Sequence, residues 1–200
     1  WSVQDRSSQL IAPFLGALPG EKILDACAAP GGKSTHIAEL INNQGNILSV
    51  DRSRQRSQKI LANSERLGAS CLQLLVADSN ELLDINPEWE AYFHRILIDA
   101  PCSGLGTLAR HPDARWRMNK DKIQELVVVQ NQLLKSLAPL LKRGGKLVYS
   151  TCTIHPDENF NQIRKFLKIN SEFLLEYENQ IWPGREDNGD GFYVAVLYKS

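Results

Sequence analysis

Lys22-Ile-Leu-Asp25-Ala-Cys27-Ala-Ala-Pro30-Gly-Gly-Lys33 is the stretch that decides the fold. Lys22 to Ala26 is a short apolar run that stops at a turn of small residues, Pro and paired Gly, as a buried strand does. The helical spacing of Gly31 to Ile41 follows at once. A strand feeding a helix through a glycine turn is the opening of a β/α unit.

The same alternation continues outward. Asn46 to Asp51 reads as a second strand and Ser53 to Leu67 as a polar helix. Cys71 to Ala77 and Arg95 to Ala100 read as the third and fourth strands. Ile123, Leu126, Val127, Leu133, Leu134, Leu137 and Leu141 recur at helical spacing, which predicts one long amphipathic helix over Asn119 to Leu141. Lys146 to Ser150 reads as the fifth strand, Pro156 as the first turn of a further helix, and Gly191 to Tyr198 as a late strand. Strands alternating with helices predict a doubly wound α/β domain, a parallel sheet covered on both faces.

Composition agrees with one such domain over residues 1–200. Hydrophobic residues are 42% and charged residues 23%, which excludes a disordered or fibrous chain. A chain of this length buries roughly 70% of its unfolded surface, enough for a core without disulfides or metals. There is no run of 18 apolar residues, so no membrane helix is expected. Lys and Arg number 23 against 23 Asp and Glu, so any attraction to nucleic acid has to be local. Cys27, Cys71, Cys102 and Cys152 form no CxxC pair, which argues against a metal site. Scattered thiols and no signal segment read as a cytoplasmic protein.

In doubly wound sheets, ligands bind beyond the carboxyl ends of the strands. Asp25 to Lys33, Asp51, Asp99 to Cys102 and Ser150 to Cys152 all fall there. The Cys27–Lys33 turn resembles a phosphate loop, with Ile96 to Asp99 as a second nucleotide-binding strand. Cys27, however, stands where that loop needs Gly. Asp51 points elsewhere: 19 residues after Gly32 it sits where an acid accepts from ribose hydroxyls. Without GxGxxG, a nucleoside cofactor lacking a pyrophosphate fits best. Asp78 either reaches the adenine side of that ligand or caps the next turn. Lys33 opposes the helix dipole in a first helical turn, a placement that favours a ligand or substrate role over a surface lysine.

Cys71 and Cys27 read as packing. Cys102 and Cys152 each lie just past a strand end among small residues, and neighbouring fourth and fifth strands would aim both into one cleft. A thiolate there is suited to attack on an electron-poor carbon such as carbon 6 of a pyrimidine. Carbon 5 then becomes nucleophilic toward a sulfonium methyl group. Asp99 would hold the ring nitrogen and amino group of the base. Which thiol attacks stays open at this point.

Val3-Gln-Asp-Arg-Ser-Ser-Gln9, Asp25–Lys33, Asp99-Ala-Pro-Cys-Ser-Gly104, Ser150-Thr-Cys-Thr153 with Pro156-Asp-Glu-Asn159, and Asp190-Gly-Phe192 together resemble the Nop/Sun family of RNA 5-methylcytosine methyltransferases. Arg110-His-Pro-Asp113 with Arg115-Trp-Arg117 resembles its bacterial branch, which modifies small-subunit ribosomal RNA. The resemblance implies a seven-stranded Rossmann-like sheet with an antiparallel last strand, and S-adenosylmethionine as cofactor. It implies cofactor contacts from Cys27, Ala28, Ala29, Pro30, Gly31, Gly32, Lys33, Asp51, Asp78 and Asp99. It implies catalysis by Cys152 as nucleophile, Cys102 as the thiol assisting release, Asp99 and Lys33. DNA cytosine methyltransferases use the Pro-Cys thiol as nucleophile instead. It further implies an N-terminal RNA-binding domain outside these 200 residues, with which a start at Trp1 agrees.

RNA contact is expected from Arg110, Arg115, Trp116 and Arg117, in a segment where five cations stand against two acids. Trp116 either stacks on a base or tucks into the core. Arg52, Arg54, Arg56 and Lys59 read as an exposed helix face. The expected partner is ribosomal RNA, with no metal and no membrane, for a monomer. The dipole of the Pro156 helix is expected to lower the pKa of Cys152.

Overall fold

The computed structural model describes residues 1–184 and 189–200. Its strands are β1 (Lys22–Asp25), β2 (Asn46–Val50), β3 (Leu72–Leu75), β4 (Phe93–Asp99), β5 (Leu141–Thr151), β6 (Phe173–Ile181) and β7 (Phe192–Lys199). Its helices are α1 (Arg6–Gln9), α2 (Ile11–Phe14), α3 (Gly32–Leu40), α4 (Arg54–Leu67), α5 (Leu82–Ile85), α6 (Ala114–Arg117), α7 (Lys120–Leu137) and α8 (Phe160–Ile169). The strands form one sheet in the order β3-β2-β1-β4-β5-β7-β6. β7 alone runs antiparallel, to both β5 and β6.

Alternate residues on the central strands face opposite layers, as the two-residue strand period requires. Leu24, Ile96, Ile98, Leu147 and Tyr149 pack with Leu133, Leu134 and Leu137 of α7 and Ile163 and Phe166 of α8. Ile23, Leu97 and Val148 pack on the other side with Ile37 of α3, Ile41 just after it, and Ile11 and Ala12 of α2. Both faces are therefore covered, and the sheet centre is apolar on each side.

Three boundaries differ from expectation. α7 stops at Leu137, because Pro139 lacks the N–H that a longer helix needs; a 3-10 turn over 138–140 follows, and β5 already starts at Leu141. Pro156 opens only a three-residue 3-10 turn, which Asn159 separates from α8 by a backbone kink at φ −113, ψ −115. β6 has no counterpart among the strands expected from the sequence. It is an edge strand whose Leu174 to Asn179 are all exposed, so no apolar alternation marks it.

Candidate active site

β1, β2 and β4 deliver acids to one edge of the sheet. Asp25 and Asp99 are the last residues of β1 and β4, and Asp51 directly follows β2. The turn after β1 is closed by its own backbone: Ala28 N–H donates to Val50 O at 2.9 Å, and Gly31 N–H to Ala28 O at 2.7 Å. Ala29 N–H donates to Asp51 Oδ2 at 3.2 Å. The N–H groups of Ala28, Ala29 and Gly31 are thus taken up by the protein itself, and Cys27 stands where a phosphate loop needs Gly. Gly31 sits at φ +101, and a Cβ there would meet Ile60 Cα at 3.0 Å. It serves the turn and the close approach of α4, and it lines neither of the two cavities at this edge.

Asp51 is buried, and its Oδ1 accepts from Ser53 N–H at 2.9 Å. Arg56, expected on an exposed face, donates to Ala29 O at 2.9 Å and stands 3.6 Å from Asp51 Oδ2. Asp78 caps the next turn by accepting from Asn80 N–H and Nδ2, each at 2.9 Å. It is therefore the cap, and it also lines a cavity of about 240 Å³ with Cys27, Ala29, Asp51, Asn80 and Asp99. Asn80 Oδ1 is buried without a hydrogen-bond partner. Carboxylates with unused lone pairs and an unpaired amide oxygen suit a ligand that donates from hydroxyl and amino groups, as adenosine does.

A second cavity, of about 630 Å³, is lined by Ala28, Pro30, Gly32, Lys33, Arg110 and Phe192 among others. Cys27, Ala29, Asp99, Ala100 and Cys152 line both cavities, so the two meet at the ends of β1, β4 and β5. Lys33 Nζ donates to Asp99 Oδ2 at 2.6 Å and lies 5.3 Å from the centre of the Phe192 ring. Burial works against the Lys33 charge, but Asp99 outweighs it and the pKa rises. Asp99 Oδ1 accepts from Ser150 Oγ at 2.9 Å, which ties β4 to β5.

Cys102 and Cys152 are both free, and their sulfurs lie 3.3 Å apart. The hydrogen bond between them and burial push Cys102 well above the usual thiol range. Cys152 moves the other way. The bond from Cys102 lowers it, with help from Lys33, against burial and Asp99. The expected helix dipole is not the cause, because the turn at Pro156 is three residues long. Cys27 stays a thiol, pushed far up by burial and by Asp25, Asp99 and Asp51. Cys71 packs in the core just before β3, as expected.

Sequence reasoning missed four side chains here. Asp25 is fully buried, accepts from Ser34 Oγ at 2.6 Å, and burial lifts its pKa to about 6. Glu158 and Asn159 are fully buried beside the thiols. Asn159 accepts from Thr151 Oγ1 at 2.6 Å and donates to Thr153 O at 2.9 Å, bracketing Cys152. Asp190 accepts from Arg110 Nε at 2.9 Å and from Arg110 Nη2. The only signal for Glu158, Asn159 and Asp190 is their place in motifs quoted for other residues.

The expected RNA contacts divide. Arg110 is held by Asp190, so its charge is paired and it fastens the loop to the residues before β7. Arg117 makes an exposed ion pair with Asp113 at 2.8 Å. Arg115 is exposed, and Trp116 is 86% exposed on α6, which overturns the alternative that it tucks into the core. Among the described residues, no group of three or more His, Cys, Asp or Glu could hold a metal, and no helix is long and apolar enough to cross a membrane.

A seven-stranded sheet with one antiparallel strand, acids at the ends of its parallel strands and a cavity suited to a nucleoside defines the Rossmann-like methyltransferase class. A precorrin-6y C5,15-methyltransferase from Geobacter metallireducens GS-15 shares that fold at a TM-score of 0.67 and 16% identity, over 99% of this chain and 90% of its own. The chain belongs to the family described as 16S rRNA methyltransferase RsmB/F, which matches residues 12–198. It is 42% identical to the probable ribosomal RNA small subunit methyltransferase B of Synechocystis sp., over 100% of this chain and 48% of that protein. It is 40% identical to ribosomal RNA small subunit methyltransferase B of Proteus mirabilis, over 99% of this chain and 46% of that protein. The chain thus spans about half the length of the curated relatives it matches. NSun6 from Pyrococcus horikoshii, solved with SFG, superposes at a TM-score of 0.88 with 30% identity, over 98% of this chain and 52% of that one. The family is one of S-adenosylmethionine-dependent methyltransferases.

Proposed function

We propose that this chain transfers a methyl group from S-adenosylmethionine to carbon 5 of a cytosine in small-subunit ribosomal RNA, through a covalent Cys152 adduct. The observation that carries this is the sulfur–sulfur contact of 3.3 Å where the two cavities meet. The relatives named for ribosomal RNA methylation supply the substrate class.

The residues fit the cofactor. Asp51 would accept from its ribose hydroxyls, Asp78 and Asn80 would face the adenine, and the Cys27–Lys33 turn would close over it. Bound there, S-adenosylmethionine supplies an electrophilic methyl group carried on a sulfonium. The thiols and Asp99 do the rest. Cys152, lowered in pKa, attacks cytosine carbon 6; the S–C6 bond forms as the C5=C6 pair moves to carbon 5. Asp99 accepts from the amino group while Lys33 Nζ, 2.6 Å from its Oδ2, donates to the ring nitrogen and stabilises the charge of the adduct. After transfer the carbon-5 proton passes to a base, the C5=C6 bond re-forms and the S–C6 bond breaks. Cys102, in contact with the departing sulfur, donates its hydrogen bond to that thiolate. Arg115, Trp116 and Arg117 are the proposed RNA contacts at the rim.

The test incubates the protein with methyl-labelled S-adenosylmethionine and unmodified small-subunit ribosomal RNA, then digests the RNA to nucleosides. Label in 5-methylcytidine is expected. Label in another nucleoside overturns the carbon-5 assignment. RNA and cofactor binding with no label anywhere overturns catalysis by this chain and leaves a binding scaffold.

A further inference from the structure

Glu158 is fully buried, yet the thiol chemistry of the cleft gives it no role. Its Oε1 accepts from Ser103 N–H at 2.8 Å and from Gln130 Nε2 at 3.1 Å. Its Oε2 accepts from Ser103 Oγ at 2.5 Å and from Thr153 Oγ1 at 3.1 Å. Ser103 and Thr153 are the residues that directly follow Cys102 and Cys152, and their hydroxyls meet at 2.8 Å. On the other side of Cys102, Gln130 Nε2 also donates to Pro101 O at 2.9 Å. One carboxylate therefore grips both thiol segments.

All four of these donors are neutral. A carboxylate accepts all four, whereas a Gln could keep them only if both hydroxyls turned to accept, and Thr153 Oγ1 already accepts from His155 N–H at 3.1 Å. The buried charge also acts on Cys102, the residue directly before Ser103, and favours its protonated form. We propose that Glu158 is a positioning residue: it clamps the Cys102 and Cys152 segments at sulfur contact, and its charge keeps the shared proton on Cys102.

This inference rests on the thiol-based reading of the site. The groups facing the sulfur pair are Lys33 and Asp99 in the cleft, Arg110 on the loop, Tyr149 of β5 and Glu158 on the buried side. Glu158 adds to the upward push on Cys102, while Lys33 lowers Cys152. The two charges bias the pair in the same sense, toward a thiolate at Cys152.

The experiment alkylates the whole chain with iodoacetamide from pH 6 to pH 10 and follows each cysteine by peptide mass spectrometry, without RNA or cofactor. Glu158→Gln separates charge from shape. Its carbonyl oxygen can keep the two N–H donors, and its amide can donate to the two hydroxyls, which turn to accept. In the parent, Cys152 is expected to react about tenfold faster than Cys102 near pH 8, following thiolate fraction. In Glu158→Gln the thermal midpoint should hold while the pH profile of Cys102 moves down and its rate approaches that of Cys152. Glu158→Ala should lose the midpoint as well. A parental pH profile in Glu158→Gln overturns the proposal, including when Glu158→Ala fails to fold. If the profile shifts as expected but ribosomal RNA gains no 5-methylcytidine, the methyl-transfer reading fails and the clamp on the thiol pair stands.

Discussion

Cys102 Sγ lies 3.3 Å from Cys152 Sγ although 50 residues of chain separate them. The sheet causes this. β4 and β5 are parallel neighbours with Asp99 opposite Ser150, so the chain leaves both strands at the same level. Cys102 and Cys152 then follow within three residues of those partners. The contact makes two chemically equal thiols unequal, since one is pushed up and the other down.

That inequality predicts which variant traps RNA. Cys152→Ala should give no covalent RNA–protein species and no methylation. Cys102→Ala leaves attack possible but slows release, so an adduct should accumulate on cytosine-containing RNA with cofactor. Denaturing gels read both outcomes. Adduct in Cys152→Ala alone would reverse the roles, and parental behaviour in both variants would end covalent catalysis.

Asp51→Ala should weaken S-adenosylmethionine binding by about 1.5–3 kcal/mol, the worth of a hydrogen bond to a charged acceptor. Calorimetric titration measures it, with ATP as the control that should not bind. Asp51 also accepts from Ala29 and Ser53 N–H, so Asp51→Asn, which keeps one acceptor oxygen, should lose less. Equal affinity in all three proteins would remove Asp51 from the cofactor site.

Replacing Arg115 and Arg117 with Ala should weaken RNA binding and flatten its salt dependence, by roughly 0.7 in slope for each single-strand phosphate no longer neutralised. Cofactor affinity should not change. Arg110→Ala should behave differently, because its charge faces the buried Asp190, whereas the Arg117–Asp113 pair is open to solvent on both sides. There the loop loosens with little change in slope. Filter binding over a salt series separates the two cases, and an intact slope in the double variant would clear the loop of RNA contact.

Asp25 predicts a pH dependence of stability. Burial raises its pKa from 3.8 to about 6 in the fold, so between those values the native state holds a proton that the unfolded state has lost. Stability from this group is present at pH 4 and falls as pH rises through 6, by roughly 3 kcal/mol at 1.36 kcal/mol per unit. In urea titrations at pH 4 and pH 7, Asp25→Asn should become relatively more stable at the higher pH. A gap between parent and variant that stays constant would show that Asp25 is not perturbed.

What is legible in the sequence follows from local signals. An apolar run ended by an acid announces itself, so the chain alone places Asp51 and Asp99 at strand ends. The matched cysteines are legible for the same reason. Glu158 is not, because its partners Ser103 and Gln130 are 55 and 28 residues away, and nothing beside it in the chain says that it is buried. Arg110 misleads in the same way: a charge count sees the cation but not Asp190, 80 residues on. β6 escapes because a largely exposed edge strand carries no pattern to read.

The Asp190 junction bears on how the cleft matures during synthesis. Asp190 N–H donates to Asp5 Oδ2 at 3.2 Å and Asp190 O accepts from Ser7 Oγ at 2.8 Å, contacts that span 185 and 183 residues. Arg110 closes on the same aspartate. A ribosome therefore releases β1 to β6 before the group that fastens the rim exists. Gly106 N–H must bond Cys152 O, and Gly191 N–H must bond Gly106 O, to finish the fastening. Until β7 pairs with β5, that edge of the sheet lacks its neighbour. Cys152, the proposed nucleophile, is thus translated before the residues that close the rim around it.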